Sequence, residues 1–159
     1  MKNKYFYSKI LLFGEYGIIK NSSGLSIPFK KFNGTLKLND KPNAKVEASN
    51  LEIQKFFEYI KANTNDLGRF NLQSLKEDIS NGLYFDSDIP KGFGVGSSGA
   101  LVAAIYDKYC DSDTDDLYEL KKTFSTMESY FHGNSSGLDP LVSFFDNPIS
   151  SQSLSSSSS

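Results

Sequence analysis

The stretch PKGFGVGSSG, residues 90 to 99, sets four glycines and two serines between a strand-like run and a helix-like run. A loop of this kind exposes successive backbone N–H groups, and without Cβ atoms in the way an anion can approach them closely. The positive end of the following helix adds to the attraction, so the chemistry implied is the cradling of a polyphosphate. Ser97 and Ser98 can either cap that helix or turn their hydroxyls toward a phosphate or a magnesium ion. The loop has no lysine in the place that a GxxxxGK[ST] loop requires. Nor is it a dinucleotide fingerprint, because Asp111 and Asp113 follow a helix and do not end a strand.

A second cluster, ESYFHGNSSGLDP, covers residues 128 to 140. Glu128 stands one turn after Phe124, at the border of an apolar helical stripe, which aims its carboxylate along the edge of the core. Asp139 follows beyond a glycine-flanked turn and directly before Pro140, where a new helix can start. Two carboxylates on either side of a tight turn can converge on one pocket, one holding a metal ion and the other taking a proton. His132, the sole histidine, either contacts a substrate or simply sits favourably at a helix C-terminus. Lys9 taken alone reads as a strand-surface lysine.

These groups need a scaffold, and 159 residues suffice for one core built from Leu, Ile and Val with 13 Phe and 9 Tyr and no Trp. A net charge of −2 supplies no broad electrostatic surface for nucleic acid or an anionic membrane, so any anion is bound locally. The single cysteine, Cys110, forms no internal disulfide and agrees with a reducing compartment. The N-terminal apolar run ILLF is too short for a signal-peptide core or a membrane span. The expectation is a cytoplasmic protein.

Along the chain, YFYSKILLF predicts a strand or strand pair, and SIPFKKFNGTLKLN a hairpin turning at Asn33-Gly34. Ile53, Phe56, Phe57 and Ile60 recur at helical spacing behind a candidate N-cap at Asn50. Residues 72–90, LQSLKEDISNGLYFDSDIP, read as strand material ending at Pro90. Helices are then predicted from Ser98, and from about Asp115 to Phe131, where Leu117, Leu120, Phe124, Met127 and Phe131 form one stripe. From Ile149 onward eight of eleven residues are serine, and this tail is expected to be disordered.

Three segments together carry a family resemblance. SKILLFGEYGII resembles the first signature of the GHMP kinases and PKGFGVGSSGALVAA the second. The third, ESYFHGNSSGLDP, resembles the Glu-x-x-x-His-Gly-Asn-x-Ser-Gly-x-Asp pattern of the mevalonate kinase branch, with every fixed letter present. The resemblance implies ATP and Mg2+ as cofactors and phosphoryl transfer from ATP to the hydroxyl of mevalonate, in isoprenoid precursor synthesis. Phosphomevalonate, another small hydroxy acid or a sugar is the alternative substrate, and a non-catalytic remnant of the fold the alternative role.

Carried over residue by residue, the resemblance implies a phosphate loop of Gly92, Gly94, Gly96, Ser97 and Ser98, with Ser97 and Glu128 as magnesium ligands. It makes Asp139 the catalytic base or electrostatic anchor, places Lys9 beside it to neutralise charge in transfer, and puts Glu15 and His132 on the substrate side. Gly99 stands where the family commonly has Ala or Ser. The implied fold is α+β, a two-layer mixed sheet of four or five strands with helices on one side, as in the GHMP kinase N-terminal domain. Residues 1–148 would form that ATP-binding domain and 149–159 the tail, with the family's C-terminal domain absent from this chain. No nucleic acid or membrane partner is expected, and a second copy or a separate C-terminal half remain as macromolecular partners.

Overall fold

The computed structural model describes residues 3–13, 25–41, 43–67, 69–111 and 114–150. In chain order these form β1 (Phe6–Phe13), β2 (Leu25–Leu38), α1 (Ala44–Ala62), α2 (Thr64–Leu67), α3 (Leu72–Ser80), β3 (Leu83–Ser87), α4 (Ser97–Tyr109), α5 (Leu117–His132), α6 (Leu138–Phe145) and β4 (Ile149–Ser150). The fold is α+β, a sheet packed against helices, as expected. Among the described residues the sheet has four strands in the order β1-β2-β3, with β4 also pairing β2. Every one of these pairings is antiparallel, where a mixed sheet was expected.

The largest local departure is at Asn33-Gly34, which is not a turn. It lies inside the single long strand β2, with Gly34 opposite Phe6 on one side and Ser87 on the other. Asn33 and Asp88 exchange hydrogen bonds through the Asn33 N–H (2.8 Å) and carbonyl (3.1 Å). The glycine is required because a Cβ there would strike the ring of Phe85. Cross-strand packing thus uses the dipeptide for close approach, overriding its turn preference. The register between β1 and β2 shifts between Tyr7 and Ser8, which absorbs the extra residues of β2.

Two helix boundaries also differ. Helix α1 starts at Asn43, whose side chain accepts from the Val46 N–H at 3.0 Å. Asn50 is an interior residue that donates to the carbonyls of Ile79 (3.1 Å) and Leu83 (2.7 Å), fastening the turn between α3 and β3. The early turns of α1 bury only Val46, so the apolar period gave no sign of them. The segment expected as strand up to Pro90 begins instead as α3, capped by Asn71 onto Ser74, and only Leu83–Ser87 is extended. Leu72, Leu75 and Ile79 step by three and four, a helical spacing that lies against the core.

Helix α4 runs through the middle of the molecule. Residues 99 to 106 are all buried, so it has no solvent face for most of its length. Helix α5 presents Leu120, Phe124 and Met127 to the same core, close to the predicted stripe, and α6 buries Leu141 and Val142. Ser143 Oγ donates to the Tyr7 carbonyl at 3.0 Å, tying α6 to β1. Ile149 and Ser150, grouped with the tail in the sequence, pair with Ser26 and Leu25. Among the described residues no helix is long and apolar enough to cross a membrane.

Candidate functional site

Lys9 sits opposite Pro28 on β2, which has no N–H to offer. Its own backbone N–H donates to the Val95 carbonyl at 2.9 Å, which fastens the glycine loop to β1. Gly96 then turns the chain into α4 at φ 84°, and a Cβ on it would lie 2.8 Å from Lys9 Cγ. Only glycine meets both conditions, a left-handed backbone and a lysine stem in contact.

Gly96 is also the N-cap of α4, with no side chain bonding to the first helical N–H groups. Ser97 and Ser98 are therefore first-turn residues and not caps. Ser98 Oγ is instead hydrogen-bonded to His132 Nε2 at 2.8 Å, bridging the start of α4 to the end of α5. Among the described residues no side chain caps this helix N-terminus, an arrangement that attracts an anion.

Asp139 comes in on α6 and is pressed against α4 at Gly99. A Cβ on Gly99 would lie 2.9 Å from Asp139 Cβ and 3.0 Å from its carbonyl carbon, so the glycine sets how near the carboxylate can come. This gives a structural job to a position that in sequence is only a small departure from a family pattern. Asp139 Oδ1 meets Lys9 Nζ at 3.2 Å. Lys9 is 8% exposed and is held within the fold, whereas the Asp139 side chain, 30% exposed, reaches the surface.

Glu128 is more deeply placed than the edge of the core. It is 4% exposed, and its Oε2 is buried without a hydrogen-bond partner among the described residues. Its Oε1 lies 3.9 Å from His132 Nε2. Burial, reinforced by the negative charge of Asp139, pushes its carboxyl up to about 8 from 4.5, against the opposing pull of a Ser135 hydrogen bond and the Lys9 charge. Folding therefore takes up a proton at Glu128 between those two values. The associated stability is complete below the ordinary carboxyl range and is lost as pH rises through about 8. In metal-free buffer the denaturation midpoint of the parent should fall between pH 5.5 and 8.5 more steeply than that of Glu128→Gln, which has no such proton to lose. Parallel midpoint curves for the two proteins would contradict this.

One cleft of about 400 Å3 is lined by Gly92, Gly94, Gly96, Ser97, Ser98, His132 and Asp139, together with Glu52, Pro90, Lys91, Val95 and Phe131. Seven of the residues singled out in the sequence thus come together. Lys9 joins them through Asp139, Glu128 lies behind the cleft surface, and Glu15 lies outside the described residues. Glu52, which sequence patterns did not mark, enters from α1. Nothing in the spacing of Glu52 could have placed it there.

A hard divalent cation suits the oxygen donors present. The buried Oε2 of Glu128, without a hydrogen-bond partner among the described residues, is an oxygen that would accept such an ion, and Ser97 belongs to the lining. Among the described residues no three His, Cys, Asp or Glu side chains group as a metal site, so phosphate oxygens and water would complete the shell.

Over residues 53–147 the chain matches the family described as GHMP kinases N terminal domain. Among solved structures it is similar to the mevalonate kinase from methicillin-resistant Staphylococcus aureus MRSA252, with a TM-score of 0.50 and 17% identity. That match covers 94% of this chain and 52% of the other, so the chain spans about half the length of its structural neighbour. At this identity the likeness concerns the fold. No curated protein sequence matches the chain.

Proposed function

Since the chain belongs to the GHMP kinases N terminal domain family, we propose that it binds ATP with magnesium and supplies the catalytic pair that moves the γ-phosphoryl group to the hydroxyl of mevalonate. The observation that carries this reading is the Lys9–Asp139 pair, 3.2 Å apart, beside the uncapped N-terminus of α4. The loop from Gly92 to Ser98 and the start of α4 direct N–H groups at the phosphates. Asp139 accepts the proton of the attacking hydroxyl at a carboxylate oxygen, and the Lys9 ammonium offsets negative charge at the transferring group.

Phosphoryl transfer passes through a loose transition state, so positioning and fixed charge supply most of the catalysis. Ser97 and Glu128 would hold magnesium, which when bound shields the phosphate charge and fixes the phosphates in line. His132, on the cleft wall, and Glu15 are assigned to the substrate side. Mevalonate is favoured by the third motif, in which every fixed letter of the mevalonate kinase pattern is present.

The test is ATP-dependent phosphorylation by the intact protein across mevalonate, phosphomevalonate, a simple hydroxy acid and a hexose, with product identified by mass. Mevalonate should be preferred at least about tenfold, a difference that hydrogen bonding to a specific substrate readily supplies. In the same assay Glu128→Gln should raise the magnesium needed for half-maximal rate, and added magnesium should restore part of the loss. Preference for another acceptor would reassign the substrate, and no phosphorylation of any would remove the kinase reading.

A further inference from the structure

We propose that Lys91 is a phosphate-binding residue of the cleft that Glu52 holds in the ligand-free state, and that a polyphosphate displaces Glu52 from it. The inference rests on the phosphate-cleft reading above. Lys91 Nζ lies 3.0 Å from Glu52 Oε2, and both residues line the cleft. The ammonium of Lys9 is already paired with Asp139 below the surface. Among the described residues Lys91 is thus the ammonium presented on the lining itself, immediately before the first glycine of the loop.

The two partners differ in mobility. Glu52 projects from the middle of the long helix α1, so its backbone is fixed on the wall facing the loop. Lys91 has a four-carbon stem and is 74% exposed, against 36% for Glu52. An ion pair this open to water contributes little, so it exchanges readily for a more highly charged partner. When Lys91 turns to a phosphate oxygen, Glu52 is left as a bare carboxylate facing a polyanion. Glu52 therefore weakens binding twice, by competing for Lys91 and by repelling the ligand. Repulsion scales with ligand charge, so this carboxylate disfavours metal-free ATP more than the magnesium complex.

The experiment measures binding to the chain by calorimetry, with ATP plus Mg2+, ATP in chelator, and adenosine as probes. Glu52→Gln should tighten metal-free ATP about three- to tenfold and Mg-ATP by less, with adenosine unchanged and the gains shrinking as salt is added. Lys91→Met should weaken ATP by a similar factor. In the Lys91→Met background the gain from Glu52→Gln should fall below half its parental size, because the competition for the ammonium is gone. Both side chains are exposed, so folding is not at stake. If the parent binds ATP and Glu52→Gln leaves that affinity unchanged or lower, the exchange is overturned while the phosphate cleft stands. A full gain without Lys91 reduces Glu52 to plain repulsion and also overturns the exchange. A parent that binds no ATP at all overturns the phosphate cleft, and this inference with it.

Discussion

Asp139→Asn is expected to lower the rate of the chemical step about 10²–10⁴-fold, the usual range for loss of a general base, while ATP binding is largely retained. The substitution keeps the shape that packs against Gly99, where an added Cβ would meet the Asp139 Cβ at 2.9 Å and not the carboxylate. It removes the charge facing Lys9 and the basic lone pair. Lys9, 8% exposed, then becomes a buried cation without its partner, so some stability is lost as well. Turnover and nucleotide binding should accordingly be measured well below the melting temperature of the variant. A kcat within threefold of the parent would mean that Asp139 neither accepts the proton nor anchors the transferring group. A loss of ATP binding as large as the loss of rate would instead make it a binding residue.

Gly96→Val should abolish detectable Mg-ATP binding, a loss of about 10²-fold or more, because three costs fall on one residue. Its φ of 84° is one a β-branched residue rarely adopts, and the new Cβ would meet Lys9 Cγ at 2.8 Å. The side chain would also stand at the cap position, where the N–H groups of α4 are open. Backbone strain of this kind costs about 1–3 kcal/mol, enough to disturb the loop and with it the Lys9–Val95 hydrogen bond. Gly94→Val provides the comparison. It shares the positive φ, at 68°, but nothing lies within 4 Å of its Cβ. It should remain folded while still losing nucleotide protection, since its side chain enters the space a phosphate would occupy. Hydrogen exchange of residues 92 to 100 with and without Mg-ATP reads both variants. Protection equal to that of the parent in both would remove the phosphate-loop assignment.

Local features of this fold were legible wherever one segment carries its own pattern. The stripe from Leu117 to Phe131 needs no partner to identify it as a helix, and α5 lies within about two residues of where that stripe placed it, although Leu117 itself is exposed. The same holds for the glycine loop followed by α4, since three positive-φ glycines before a run of small and apolar residues is a local signal. Where a residue's role depends on a distant neighbour, the local pattern misled. Asn33-Gly34 is a turn by preference and a strand interior in fact, because Phe85 from another strand occupies the space above the glycine. Asn50 is a good cap by type, but two carbonyls about thirty residues away claim its side chain.

For the site, the order of residues along the chain settles which groups are available: a glycine loop, a pair of serines, two carboxylates, a histidine and a lysine. Each is a covalent fact of the chain, readable without coordinates. Their protonation states and their neighbours arise from packing. Glu128 became a carboxyl pushed up to about 8 because the packing of α5 buried it next to Asp139. Lys9 gained its partner because Gly99 lets α6 settle against α4, and Glu52 reached the cleft because α1 faces the loop. Desolvation and charge coupling act through space, and the positions that meet there lie from 11 (Glu128 to Asp139) to 130 (Lys9 to Asp139) residues apart along the chain.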